Sequence, residues 1–132
     1  MKKLLAISLA SLVAGCMPAE PVELSADEQS ELSVALAERS PGPPVSCVNQ
    51  RSLRNNRSVG EGVILFDGPG NILYVNRPAA GCPELTPSRA LVTRTTSTQL
   101  CRGDIATVID PVNGFGYGGC ALGDFTPYRR IH

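Results

Sequence analysis

Read for its alternation of apolar and polar residues, the chain divides into three regions. An uncharged run from Leu4 to Ala14 follows Lys2 and Lys3. Beyond it lies a polar, acidic stretch with a thin apolar stripe, in which Leu32, Ala35 and Leu36 recur at helical spacing. Ser25 and Glu28 stand three apart in the capping-box pattern that opens helices, and Ser40-Pro41-Gly42-Pro43-Pro44 stops the segment. The pattern predicts one acidic amphipathic helix within residues 25–40, running from Ala26 to Arg39.

From residue 41 onward the period changes from helical to strand-like. The apolar runs Val63-Ile64-Leu65-Phe66 and Ile72-Leu73-Tyr74-Val75 flank Asp67-Gly68-Pro69-Gly70-Asn71, a set of turn residues that marks a hairpin. Further strands are expected from Val45 to Val48, Ala90 to Thr96, Ile105 to Ile109 and Gly119 to Leu122. The expected fold is mainly β: a small antiparallel sandwich or barrel of five to six short strands, preceded by one short N-terminal helix. No internal repeat is visible, and the strands are too few and short for a transmembrane barrel, whose strands run to about 9–11 residues.

The first uncharged run is eleven residues long, whereas a helix needs about 20 to cross a bilayer. Two lysines, a short apolar run and small residues at its end are the layout of a processing signal. The junction Val13-Ala14-Gly15-Cys16 resembles the lipobox of bacterial lipoproteins. That resemblance implies removal of residues 1–15, lipidation of the Cys16 thiol, often acylation of the new amino terminus, and a tether over 16–24. Two or more acyl chains anchor stably, at about 0.8 kcal/mol per buried CH₂. Lipoproteins held in the inner membrane typically carry aspartate after the cysteine. Met17 stands there instead, so the implied address is the outer membrane, facing the periplasm.

Cutting before Cys16 leaves 117 residues, enough for one small domain. It also changes the cysteine count. Beyond Cys16 there remain Cys47, Cys82, Cys101 and Cys120, an even number that in a small exported domain reads as two disulfides. None is spaced C-x-x-C, so neither a thioredoxin-like site nor a compact zinc site is indicated, and no cofactor motif is present. Three connectivities are open. Cys47–Cys120 with Cys82–Cys101 is preferred, because it nests a local bridge inside one that ties the ends together.

Charge is unevenly spread. Met17 to Glu38 holds six acidic residues and no basic one, while Arg39 onward holds ten arginines against six carboxylates, a formal +4. An acidic leader on a mildly basic body suits anionic ligands.

Taken in order, the segments LAERSPGPPVSC, ILFDGPGNILYVNRP, QLCRGDIATV and GGCALGDFTPY together resemble a family of small uncharacterised exported four-cysteine bacterial proteins. The likeness spans roughly Leu24 to Tyr128 and implies architecture and compartment, with no catalytic residue to carry over.

Candidate chemistry is sparse. The sole histidine is the terminal His132, a poor place for an oriented imidazole. Glu61, Asp67, Asp104, Asp110 and Asp124 fall at expected turns, where aspartate commonly serves the backbone. Asp104 and Asp124 each follow glycine, and a carboxylate enzyme site would sit there. The glycines of GFGYGG read as a hairpin or bulge, with Phe115 and Tyr117 as an aromatic contact patch. Arg102-Gly103-Asp104 is read as a chance tripeptide. Arg51, Arg54 and Arg57, spaced by three, form a candidate anion-binding set if helical, since guanidinium forks suit phosphate and carboxylate. The expected function is a lipid-anchored, non-enzymatic binding or structural module of the cell envelope. Its partners would be the membrane through Cys16 and an envelope protein or anionic envelope ligand, not nucleic acid. The alternatives are a small periplasmic hydrolase near Asp104 and Asp124, or an inhibitor presenting FDGPGN or GFGYGG.

Overall fold

A computed structural model of the 132-residue chain describes residues 14–16 and 22–131. Most of the signal segment, residues 17–21 of the tether and His132 lie outside the described residues. Among those described, there is one α-helix, α1 (Ala26–Ala35), followed by ten strands: β1 (Arg39–Pro41), β2 (Cys47–Asn49), β3 (Asn56–Val59), β4 (Val63–Asp67), β5 (Leu73–Asn76), β6 (Ala90–Thr93), β7 (Gln99–Cys101), β8 (Ile105–Ile109), β9 (Gly116–Ala121) and β10 (Phe125–Arg130). The fold is mainly β and antiparallel, as expected. The strands number ten rather than five or six, and they form three open sheets ordered β1-β10-β5-β4-β3, β2-β7 and β6-β8-β9, which excludes the barrel.

Helix α1 starts as its sequence dictates. The Glu28 backbone N–H donates to Ser25 Oγ (3.3 Å) and the Ser25 N–H donates to Glu28 Oε2 (2.9 Å), closing the capping box. It ends four residues before the expected Arg39. Glu38 takes a left-handed φ of 58°, a conformation that reverses the chain and that only glycine adopts without cost. Arg39–Pro41 is thereby turned back to pair with Tyr128–Arg130 as an edge strand. Leu32 is the one buried residue of the helix.

The five-stranded sheet is covered on both faces, which explains why β4 is a continuous apolar run from Val63 to Phe66 before it ends at Asp67. On one face Val59, Val63, Leu65, Leu73 and Val75 pack with Leu32 of α1, joined by Leu24, Leu36 and Tyr128. On the other, Ile64, Phe66 and Phe125 meet Val48 and Leu100 of the two-stranded sheet and Leu91, Ala106, Val108 and Cys120 of the three-stranded one. Phe125 is fully buried, with Phe66 and Tyr74 tilted or edge-on against it at 5.6 and 6.2 Å. Residues 22–24, placed in the tether from sequence, lie against the body. The Val22 carbonyl sits where a Cβ on Gly62 would project, and Leu24 joins the core under the helix.

The hairpin of β4 and β5 forms with Asp67 opposite Leu73 and Leu65 opposite Val75. β9 begins at Gly116, earlier than expected, and carries a bulge in which Tyr117 and Gly118 oppose Val108 alone, with Gly118 at φ 103°. β10 was not anticipated, because Pro127 argues against a strand. It is tolerated because the Pro127 carbonyl accepts from Gly42 N (2.7 Å), so its nitrogen also points away from β5 and costs no ladder bond there.

All four body cysteines are bridged, but the nested pairing is wrong. The bridges are Cys47–Cys101 and Cys82–Cys120, with Cα separations of 4.0 and 5.3 Å, and they interlock along the chain. The reason is topological: Cys47 and Cys101 face each other in the β2–β7 register, while Cys120 points from β9 into the core, where the loop after β5 delivers Cys82.

Candidate functional site

The three arginines singled out from the spacing do not share a helical face. Arg51 sits in a 3-10 turn, Gln50–Ser52, whose N-cap Asn49 accepts from the Arg51 backbone N–H (3.0 Å). Arg54 lies between that turn and β3, and its Nη2 donates to the Gly68 carbonyl (2.8 Å), tying it to the β4–β5 connection. Arg57 is exposed on β3, opposite Leu65. Extended backbone separates the three because β3 pairs with β4 across the short turn after Val59 and completes the edge of the large sheet.

What replaces the helical face is a strand edge with a hollow on either side. One, of about 180 Å³, is lined by Gln50, Leu53, Arg54, Asn55 and Thr93 over a floor of Phe66 and Leu100. Gln50 is locked in its wall: Nε2 donates to Thr93 Oγ1 (2.7 Å) and Oε1 accepts from Thr95 Oγ1 (3.0 Å). The other, of about 210 Å³, is lined by Glu31, Arg57, Ser58, Leu85, Pro87 and Arg89. Asn56 borders both.

A larger open groove of about 810 Å³ runs beside α1, between Val22–Leu24, Gln29, Leu32, Ser33 and Arg77. Its lining mixes one carboxylate, one guanidinium and apolar groups without a convergent set.

Three of the five carboxylates at the expected turns, Asp104, Asp110 and Asp124, have structural partners. Asp104 Oδ2 accepts from the Cys101 backbone N–H (2.7 Å), and Asp110 Oδ1 accepts from Val112 N (2.8 Å), the turn role expected of aspartate. Asp124 Oδ2 lies 3.4 Å from Arg102 Nη1 on the surface. Arg102 of the Arg102-Gly103-Asp104 tripeptide is spent on that contact.

The aromatic pair is real but only half available. Phe115 meets Tyr117 edge-on at 5.0 Å and is 61% exposed, whereas Arg89 lies 3.5 Å over the Tyr117 ring and bonds Glu84 at 2.8 Å. The exposed tip is therefore Phe115 with Val112. Cys16 carries an exposed, free thiol.

Sequence reasoning missed the densest arrangement of charge. Among the described residues, ion pairs within 4 Å engage Arg89 and Arg102 alone, leaving eight of the ten body arginines without a carboxylate at that distance. Two of these, Arg39 and Arg130, are direct partners in the β1–β10 register. Burial first, then the charge of Arg130, lowers the pKa of Arg39; Asp67 opposes this and Arg57 adds to it. Arg39 is held by Nη1 donating to the carbonyls of Asn71 (2.5 Å) and Tyr128 (3.2 Å). The signal was present in the two terminal arginines of β10, but only pairing with β1 gives it meaning. No family model, curated protein or solved structure matches this chain.

Proposed function

We propose that this chain is a lipid-anchored protein of the bacterial cell envelope that acts by binding an anionic envelope component. The anchor is Cys16, read from the lipobox-like junction Val13-Ala14-Gly15-Cys16. Outer-membrane residence facing the periplasm, and kinship with small exported four-cysteine proteins, belong to the same reading. The observation that carries the binding function is the surplus of guanidinium groups without carboxylate partners, held on a rigid, disulfide-braced β scaffold. Such groups attract phosphate and carboxylate oxygens, and a fixed scaffold lowers the ordering cost of binding. The hydrolase alternative has less support, because Asp104 already serves the Cys101 N–H.

Two measurements test this. Metabolic labelling with a palmitate analogue should mark the chain and should fail in Cys16→Ala; equal labelling of both sinks the anchor. In-cell crosslinking with mass spectrometry should recover anionic envelope material with the anchored form and much less with Cys16→Ala. Capture that ignores the anchor would count against an envelope role.

A further inference from the structure

Alternation along the strands puts Arg39, Arg57, Asp67 and Arg130 on one face of the five-stranded sheet. Arg57 opposes Leu65, which shares a face with Asp67 two residues on; Asp67 opposes Leu73, Leu73 opposes Tyr128, and Tyr128 shares a face with Arg130, the partner of Arg39. This is the face on which α1 packs, and Leu65, Leu73 and Tyr128 fill the core beneath the helix. The charged residues occupy the rim of that core. Arg57 and Arg130 are exposed, and neither Asp67 nor Glu38 lies within 4 Å of any described arginine.

Like charges directly opposite in a sheet destabilise it, and Arg39 and Arg130 stand so with no described carboxylate within 4 Å of either, Asp67 offsetting the charge of Arg39 only from further off. Arg39 is moreover held in place by two backbone carbonyls, which fixes one guanidinium before any ligand arrives. We infer that the rim formed by Arg39, Arg130 and Arg57 is a binding site for a phosphomonoester or pyrophosphate group, whose charge and several oxygens satisfy more than one guanidinium at once. A single carboxylate fills one fork and leaves the repulsion between the other two. This rests on the anion-binding reading above and names its site and ligand class.

The test uses the lipidated full chain in a neutral detergent, titrated calorimetrically with inorganic pyrophosphate and with soluble dihexanoyl phosphatidic acid. Either probe should bind and raise the melting temperature, and the tighter one tells a free phosphate from a lipid headgroup. Arg130→Gln and Arg57→Gln should each weaken binding by about tenfold, while Arg51→Gln leaves it unchanged. Arg130→Gln should also raise the melting temperature without anion, because it removes the opposed charge; that readout shows that the variant folds. Binding unaffected by Arg130→Gln and Arg57→Gln but lost in Arg51→Gln would overturn this site and leave the broader anion-binding reading standing. No binding of either probe to the unmodified chain would overturn both.

Discussion

Asn76 is fully buried, and both ends of its amide are spent on one residue 47 positions away: Nδ2 donates to the Gly123 carbonyl (2.8 Å) and Oδ1 accepts from the Gly123 N–H (2.9 Å). Gly123 must be glycine, since a Cβ there would strike the Arg77 carbonyl. The pair clamps the end of β5 to the turn before β10. Asn76→Ala leaves two part-buried backbone groups of Gly123 unpaired and should cost about 1–3 kcal/mol, read from urea denaturation. A change under about 0.5 kcal/mol would mean that water replaces the amide at no cost. Nothing in the sequence singled out Asn76, because an asparagine at the end of an apolar run reads as an ordinary turn residue.

At the level of elements, α1 is short for an independent helix and depends on docking, since helices below about 12–15 residues are marginal in water. Leu32 is its single buried anchor. Leu32→Ala should cost about 2–4 kcal/mol by hydrogen exchange, with helix amides losing protection while those of β4 and β5 keep theirs. Loss of protection throughout would make the helix part of one cooperative unit with the sheets. Ser25→Ala removes only the cap and should cost about 1 kcal/mol. The capping box and the β4–β5 hairpin were legible because both are local chemistry. β1, β7 and β10 were not, because each gains its strand character from a partner distant in sequence, and β3, though it pairs with the adjacent β4, carries a polar, arginine-bearing sequence with no apolar run.

For the molecule as a whole, the two disulfides close loops of 54 and 38 residues, and each contributes roughly 4 kcal/mol in the loop-closure picture. They differ in access: Cys82 and Cys120 are buried, Cys47 and Cys101 only partly so. Graded reduction followed by alkylation should therefore label Cys47 and Cys101 first. Early labelling of Cys82 would show that the core opens more readily than the β2–β7 ladder. The body's excess of arginine adds repulsion that salt screens, so raising sodium chloride from about 0.01 to 0.15 M should increase unfolding stability. A fall would indicate that attraction between the acidic leader and the basic body dominates. With pH the sign is different. Arg39 has a folded pKa below its unfolded value, so the penalty persists wherever it is protonated and is relieved only in strong alkali. The pH dependence of stability near neutrality should therefore owe nothing to this group, although its penalty is present there.

Features carried by short-range chemistry can be read from the chain alone. These are the mainly β, antiparallel character, the helix start at Ser25, the central hairpin and the bridging of the four body cysteines. Each is encoded within a few residues, or in a composition that permits few alternatives. Which cysteines pair, where α1 stops, how many strands there are and which arginines meet are set by long-range contacts in the fold. Arg51, Arg54 and Arg57 are near in sequence and held apart by an extended edge strand, while Arg39 and Arg130 are 91 positions apart and brought face to face. Strand register sets such meetings, and register is fixed by burying both faces of the large sheet at once rather than by any local pattern.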